Sequence, residues 1–199
     1  MKHRKTIKQA AQTIPVCKGR TYELQIDRLG TSGEGGGRYD NFTVFVPNAL
    51  PGETVSVVIE EVKNSYARGR IKQILHESVD RVAPLCELYE ECGGCQLQHL
   101  SYEAQLRAKR AQVVDTLTHI GKLPQIPVRE TLRAEEPWNY RNKMQFPIGR
   151  NSGQIVIGCF AQGSHTIINT ENCHIQRAEN NDLANAAREI AEQLHIPVY

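Results

Sequence analysis

The sequence lacks any run of apolar residues that approaches the roughly 20 needed for a membrane-spanning helix. Its first residues, MKHRKTIKQ, pass into polar sequence without the apolar segment of a secretory signal. There is no internal repeat, and the only low-complexity stretch is one glycine-rich segment. With 40% hydrophobic and 23% charged residues, the composition is that of a globular protein with a core. We therefore expect a cytoplasmic protein without a membrane partner.

Cysteine is the residue type that stands out. Six are present, and Cys86, Cys92 and Cys95 lie within ten residues of one another. Disulfides are uncommon in the reducing cytoplasm, so this clustering indicates metal binding or redox chemistry.

The net charge is +2, but the positive charge is concentrated in two segments of the chain. Counting Lys and Arg against Asp and Glu gives +5 for residues 1–76, −4 for 77–100, +4 for 101–150 and −3 for 151–199. Basic blocks suit a polyanion, because each Lys or Arg that contacts a phosphate releases counterions. Ordinary solvated surface charge is the alternative explanation.

We divide the chain into four segments, beginning with a basic tail at residues 1–12. Residues 13–76 contain short runs rich in β-branched and aromatic residues, separated by Gly, Pro, Asn and Asp. These runs are YELQIDRL, NFTVFV, TVSVVIEEV and ARGRIKQIL. Four or five strands in about 60 residues predict a small antiparallel β-barrel of the oligonucleotide-binding kind, which presents basic and aromatic side chains to single strands.

The glycine-rich segment GTSGEGGGRYD occupies residues 30–40. A phosphate-binding glycine loop needs a helix N-terminus behind it, and here a strand pattern follows instead. We therefore predict a flexible hairpin loop that leaves Arg38 and Tyr39 available to RNA. Arg68 is a further candidate on the barrel.

Residues 77–100 show neither helical nor strand periodicity, as expected of a loop organised around a metal, and residues 101–199 form an α+β domain. A helix is predicted from the N-cap Ser101 to the C-cap Gly121. One face carries Leu106, Val113, Leu117 and Ile120. The predicted strands are VRETLRA, YRNKMQFPI, QIVIGCF and SHTIIN. A closing helix over 178–195 places Leu183, Ala187, Ile190 and Leu194 at helical spacing.

The cysteine loop has the pattern Cys86-x5-Cys92-Gly-Gly-Cys95. Two residues between the last pair allow two thiolates to bind one metal or cluster, and the glycines let amide N–H groups approach cluster sulfides. A zinc site of three cysteines and His99 is one interpretation. A 4Fe-4S cluster is the other, with a distant fourth cysteine.

Two cysteines are candidates for that fourth ligand. Cys159 lies in the apolar run QIVIGCF, which favours a buried structural thiol, whereas Cys173 lies in the polar segment NTENCHIQ, which suits a ligand. Cys17 precedes the barrel, and we expect no role for it.

Two resemblances follow from these motifs. The first 76 residues resemble a TRAM domain, an RNA-binding β-barrel, through Asp27–Gly37 and FVPNALPGETVSVVI. The cysteine pattern, the motif Tyr140-Arg141-Asn142-Lys143 and the stretch GCFAQGSHTIINTENCHIQ resemble the RumA/TrmA family of S-adenosylmethionine-dependent RNA uridine 5-methyltransferases.

The cysteine set is similar to that of the RumA type, which modifies 23S ribosomal RNA and carries a 4Fe-4S cluster. The resemblance implies that Cys173 is the fourth ligand, and that Arg141 and Lys143 contact RNA; a surface salt bridge is the alternative for these two. The family's Rossmann-like cofactor domain, catalytic cysteine and general base have no counterpart here, so we expect a chain that is inactive alone.

We further expect 23S rRNA rather than DNA as the partner, and a monomer. The competing function is a free-standing RNA-binding module with a structural zinc. An electron carrier of the ferredoxin kind fits worst, because it has no use for basic flanks and a barrel.

Overall fold

The computed structural model describes residues 14–198, so the predicted basic tail lies outside the described residues. The chain divides into two compact units, one up to Ser78 and one from Val79. Each unit is described by itself. Among residues 14–198, no helix combines the length and apolar character that crossing a membrane requires.

The first unit is a closed five-stranded barrel with the order β1-β2-β3-β5-β4. Its strands are β1 (Thr21–Leu29), β2 (Gly35–Tyr39), β3 (Phe42–Val46), β4 (Thr54–Val62) and β5 (Tyr66–His76). The predicted barrel is confirmed, with one correction: β3 and β5 are parallel, and the other neighbours are antiparallel. An odd number of strands in alternating directions cannot close a ring without one parallel pair.

The barrel core follows the predicted alternation. Val55, Val57 and Ile59 are fully buried, and Phe42, Val44 and Val46 face the same interior from β3. A buried carboxylate, Glu53, closes one end: it accepts hydrogen bonds from the backbone N–H groups of Leu50 at 2.8 Å and Ser78 at 3.5 Å. The carboxylate thereby fixes both the turn before β4 and the segment after β5.

We predicted a hairpin loop for the whole glycine-rich segment, and only part of the segment is one. Gly35–Tyr39 form strand β2, and only the residues before it make the turn. A Cβ on Gly35 would lie 2.6 Å from the carbonyl oxygen of Ala49, and one on Gly37 would lie 2.4 Å from that of Gln25. The glycines are therefore required by close backbone approach inside the barrel.

The second unit combines a three-stranded sheet with two helices, which confirms the α+β class. The elements are α1 (Tyr102–Asp115), a π-helical turn (Thr116–Ile120), β6 (Ile148–Asn151), β7 (Gln154–Phe160), β8 (Ile167–Asn169) and α2 (Ala178–Gln193). The predicted N-cap is confirmed, because the Ser101 hydroxyl accepts from the backbone N–H of Ala104 at 3.3 Å. Residues 77–100 are an irregular loop.

Of the four strands predicted here, QIVIGCF is confirmed as β7, and SHTIIN only over Ile167–Asn169. VRETLRA is not a strand, and of YRNKMQFPI only the last residue, Ile148, belongs to one, because β6 begins there. Side chains of α1 bond both ends of VRETLRA: Arg110 donates to the Val128 carbonyl, and the Tyr102 hydroxyl accepts from the N–H of Ala134. The segment thus lies against α1 instead of pairing with a strand.

The apolar helix faces that the spacing predicts are largely exposed. Leu183 and Ile190 in α2, and Leu194 directly after it, are more than half exposed, and the buried positions of α2 are Asn181, Ala184 and Ala191. In α1 only Ala104 is buried. Small residues let α2 lie close to β7, where Ile155 and Ile157 complete the core.

Candidate metal centre and nucleic-acid interface

Five cysteines of the second unit line a single cavity of about 460 Å³, a volume that includes space open to solvent. They come from three separate segments: the loop of residues 86–95, strand β7, and the turn before α2. The five are Cys86, Cys92, Cys95, Cys159 and Cys173. The structure thus brings the four predicted ligands together and adds Cys159 to them.

Backbone contacts hold the cysteine loop against the end of β7. The N–H of Gly93 donates to the carbonyl of Phe160 at 2.9 Å, and Cys92 forms an isolated antiparallel bridge with Ala161. The N–H of Gly94 donates to the sulfur of Cys92 at 3.4 Å. Such amide donors to sulfur are characteristic of thiolate sites, and glycine permits the approach.

Cys173 is held by a buried asparagine of α2. Its backbone N–H donates to Oδ1 of Asn181 at 3.1 Å, and Nδ2 of Asn181 donates back to the Cys173 carbonyl at 3.3 Å. The Cys173 carbonyl also accepts from the N–H of Gln176 at 3.0 Å. The reciprocal bonds fix the backbone of Cys173 before any metal is bound.

Electrostatic interactions link Cys173 to the loop cysteines. Burial raises the pKa of Cys86, and the charges of Cys92 and Cys173 raise it further. Burial also raises the pKa of Cys95, together with Cys173, Cys92 and Cys86. Cys173 thus lies close enough to both of these loop thiols to affect their pKa.

Cys159 interacts with a different loop cysteine, Cys92. A side-chain hydrogen bond from Cys159 lowers the pKa of Cys92 to about 6, and the same bond raises the pKa of Cys159. Cys159 was predicted to be a buried structural thiol; its side chain is only partly buried and lines the cavity.

Within residues 14–198, no three His, Cys, Asp or Glu side chains converge closely enough to hold a single metal ion. An iron–sulfur cluster needs its ligands farther apart than a single ion does, because each of its irons takes one thiolate. Four soft thiol donors around one cavity fit that demand. Thiol is the ligand type that such a cluster takes, so the residues that line the cavity are chemically suited to it.

His99, the proposed ligand of the zinc alternative, is not part of the cavity lining. It is 2% exposed, and its Nδ1 hydrogen-bonds the Tyr89 hydroxyl. The same hydroxyl contacts the Gln96 carbonyl at 2.9 Å, and burial raises the pKa of Tyr89 to about 12. The contacts of Tyr89 with Gln96 and His99 therefore stabilise the cysteine loop.

The basic motif YRNK lies beside the same cavity. Arg141 is exposed and also lines the cavity. Lys143 is exposed. The backbone of Arg141 is fixed by a parallel bridge to Gln176 and by its N–H, which donates to the Ile175 carbonyl at 2.9 Å. A cation is thereby held next to the thiols, at a surface that solvent reaches.

On the barrel, two of the three predicted RNA contacts share one outer face. Arg38 of β2 lies opposite Thr43 of β3, and Phe45 of β3 lies opposite Arg68 of β5. Arg68 sits 6.0 Å from the ring centre of Tyr66, whose ring packs edge to face on Phe45 at 5.6 Å. Aromatic rings flanked by arginine are what single-stranded nucleic acid needs for stacking and phosphate contact.

Tyr39, the third predicted contact, is placed differently. It lies opposite the buried Phe42, packs against the core, and meets Tyr22 edge to face at 4.7 Å. Sequence reasoning missed Phe45 and Tyr66 as its aromatic counterparts on the outer face. The alternation in NFTVFV, with Phe45 out of phase with the buried positions, could have revealed Phe45.

Comparison with known proteins gives a consistent result. Residues 15–72 match the TRAM domain family. The chain is 42% identical over 188 residues to an uncharacterized RNA methyltransferase of Halalkalibacterium halodurans, covering 94% of this chain and 41% of that protein. It is 44% identical over 186 residues to an uncharacterized RNA methyltransferase of Clostridium tetani, covering 94% and 40%. The chain thus spans about two fifths of the length of these relatives.

Among solved structures, the crystal structure of Pyrococcus abyssi tRNA (uracil-54, C5)-methyltransferase in complex with S-adenosyl-L-homocysteine superposes with a TM-score of 0.59. The match has 23% sequence identity and covers 88% of this chain and 38% of that one, and it shows a shared fold. The similarity to RNA methyltransferases rests on the two relatives, and the TRAM match is consistent with it.

Proposed function

We propose that this chain is the RNA-recognition and 4Fe-4S-binding part of an S-adenosylmethionine-dependent RNA (uracil-5-)-methyltransferase that acts on 23S rRNA. The observation that carries the proposal is the cavity lined by Cys86, Cys92, Cys95 and Cys173. The relatives named RNA methyltransferases and the TRAM match support the RNA-modifying part.

In this proposal the four cysteines supply one thiolate to each iron of the cluster. The cluster joins a loop and a turn that are about 80 residues apart in sequence, so it would stabilise the second unit by closing a long loop. A structural and RNA-positioning role fits the reaction, because methyl transfer from a sulfonium requires no electron. His99 is not among the residues that line the cysteine cavity, which argues against the zinc module.

RNA binding is assigned to two surfaces. On the barrel, Arg38 and Arg68 would neutralise phosphates, while Phe45 and Tyr66 would stack on bases. Tyr39 would contribute only through the part of its ring that the core leaves exposed. In the second unit, Arg141 and Lys143 would contact the RNA backbone beside the cysteine cavity.

The proposed reaction of the whole enzyme begins with attack of a thiolate on uracil C6. Transfer of the methyl group to C5, removal of the C5 proton and elimination of the thiolate follow. The target base must leave its RNA context to be reached. The nucleophile, the base and the S-adenosylmethionine site are assigned outside this chain, so we propose that the chain transfers no methyl group by itself and acts as a monomer.

The experiment that tests the proposal is an anaerobic purification followed by an absorbance spectrum and iron, sulfide and zinc analysis. We expect about four irons and four sulfides per chain with a broad absorption in the blue region, and their loss in Cys173→Ala. Cys17→Ala is the matched control, because Cys17 is an exposed cysteine of the other unit.

Zinc at one per chain that survives Cys173→Ala would refute the cluster and favour the RNA-binding module. Uptake of labelled methyl groups into 23S rRNA by this chain alone would refute the assignment of catalysis to other parts of the enzyme.

A further inference from the structure

An exposed aromatic ring lies inside the basic motif YRNK of the second unit. Tyr140 is 66% exposed, although a tyrosine ring is large enough to contribute to a core. It directly precedes Arg141, and Lys143 follows three positions after it. Single exposed apolar side chains are ordinary on protein surfaces, so exposure alone assigns no role. The groups around Tyr140 decide what its ring can bind.

The backbone is fixed on both sides of Tyr140. The N–H of Asn139 donates to the His174 carbonyl at 3.0 Å, and the N–H of Arg141 donates to the Ile175 carbonyl at 2.9 Å. Asn139 has a φ of 52°, a left-handed conformation that asparagine tolerates better than most residues. A ligand that covers the ring therefore has little backbone to order, which lowers the entropic cost of binding it.

A second aromatic side chain, Trp138, anchors the same segment. It is partly buried, and its ring meets that of His174 edge to face, with 6.5 Å between the ring centres and 75° between the planes. Its backbone N–H donates to Oε1 of Glu136 at 3.1 Å. Trp138 thus holds the chain in place two residues before Tyr140 and leaves the tyrosine as the more exposed ring.

The two cations of the motif are not neutralised. Arg141 and Lys143 are both exposed, and neither forms a salt bridge with a carboxylate of residues 14–198. The neighbouring Arg177 differs, because it pairs with Glu179 at 3.5 Å. The charges of Arg141 and Lys143 are therefore available to an anion that arrives from solution.

An exposed ring on a fixed backbone, with uncompensated cations beside it, matches the chemistry of single-stranded nucleic acid. An unpaired base stacks on the ring, and the flanking phosphates contact the cations. A duplex keeps its bases stacked on one another and offers such a surface only phosphates. The ring thus favours an unpaired base over a paired one.

We propose that Tyr140 is a stacking platform for an unpaired base of RNA, with Arg141 and Lys143 on the flanking phosphates. The inference rests on the proposed function, since it requires that the second unit contacts RNA. It adds a base contact to a surface for which only contacts to the RNA backbone were assigned.

The first test locates the base. The whole chain is irradiated with a single-stranded RNA oligonucleotide that carries 5-iodouridine, whose photochemistry links the base to an aromatic ring stacked on it, and the linked residues are identified by peptide mapping. We expect links to Tyr140 in the unaltered chain. In Tyr140→Ala the link at this position should disappear, while links to the barrel rings Phe45 and Tyr66 remain.

The second test separates stacking from charge by anisotropy titrations at several salt concentrations. Tyr140→Ala should weaken binding by about 5- to 150-fold, the size of one base–aromatic stack, with an unchanged slope of log affinity against log salt. Tyr140→Phe keeps the ring face and should bind like the unaltered chain. Lys143→Ala should instead reduce the slope by about 1. Leu132→Ala removes a 93% exposed apolar side chain of the same unit and is the matched control.

Links to the barrel rings alone would overturn the inference, as would full affinity in Tyr140→Ala. Equal weakening in Tyr140→Phe would also overturn it, because a stack requires the ring face and not the hydroxyl. Failure of the unaltered chain to bind the oligonucleotide at any salt concentration would instead refute the RNA-binding part of the proposed function, so the two failures are distinguishable.

Discussion

The backbone N–H of Gly93 donates to the carbonyl oxygen of Phe160 at 2.9 Å, so the cysteine loop and strand β7 share a hydrogen bond. There is no room for a side chain at Gly93, because a Cβ there would lie 2.8 Å from that oxygen and 3.1 Å from the backbone N of Gln162. Both neighbours are backbone atoms, which cannot turn aside as a side chain can. The position of the cysteine loop therefore depends on the absence of a side chain here.

We accordingly expect Gly93→Ala to lose most of the iron and sulfide bound by the unaltered chain, because the loop must shift away from β7. Analysis of metal and sulfide after anaerobic purification measures this. Gly36→Ala is the control, since its Cβ would meet only the flexible side chain of Arg28. Full cluster content in Gly93→Ala would show that the loop can reposition without cost to the site.

The second prediction concerns His99 and separates the two metal interpretations. His99→Gln removes one of the two hydrogen-bond partners of the Tyr89 hydroxyl, which also bonds the Gln96 carbonyl, but it removes no ligand of a four-cysteine cluster. We expect iron and sulfide per chain to stay unchanged while the free energy of unfolding of the second unit falls by about 0.5–1.5 kcal/mol, the usual net contribution of one hydrogen bond. Loss of the metal together with the histidine would instead identify His99 as a ligand.

The third prediction concerns the buried carboxylate of the barrel. Glu53→Ala leaves the buried N–H of Leu50 without its acceptor, and we expect it to lower the free energy of unfolding of the barrel by about 1–3 kcal/mol. Urea unfolding followed by far-UV circular dichroism measures the loss. Glu60→Ala, which removes an exposed carboxylate paired with Arg70, should cost at most about 1 kcal/mol.

The single tryptophan provides an internal control for that measurement. Trp138 lies in the second unit, so its fluorescence follows the unfolding of that unit rather than of the barrel. Its transition should be unchanged in Glu53→Ala. A parallel shift of both signals would mean that the two units unfold together.

The fourth prediction tests the outer face of the barrel. Arg68→Ala should weaken binding of single-stranded RNA and reduce the slope of log affinity against log salt by about 1, whereas Phe45→Ala should cost about 1–3 kcal/mol with little change in slope. Fluorescence anisotropy with a labelled oligonucleotide at several salt concentrations measures both quantities.

Two further variants check the assignment to this face. Glu34 lies 3.7 Å from Arg68, so Glu34→Gln should tighten RNA binding by releasing the guanidinium. Arg129→Ala removes the same charge as Arg68→Ala from an exposed position in the other unit. Equal weakening by Arg129→Ala would mean that overall charge, and not this face, determines affinity.

Local sequence features determined a large part of this protein. Alternation in TVSVVIEEV specified a half-buried strand, and the hydroxyl of Ser101 specified where α1 begins, because both depend on residues near one another in the chain. The short strand-like runs between Tyr22 and Leu75 predicted the barrel. The spacing of the loop cysteines predicted a thiolate site, and these cysteines do line one cavity.

Only the tertiary structure decided which distant groups meet. Cys159 faces the cavity because β7 pairs with β8 and the cysteine loop docks on the end of β7, and neither contact is visible in the sequence around QIVIGCF. The glycines of β2 form a strand because neighbouring backbones pass within contact of them, an effect that propensity cannot register. Adjacent positions of a pleated strand point to opposite faces. The register of β2 and β3 therefore puts Tyr39 on the side of the buried Phe42 and leaves Phe45 on the outer face.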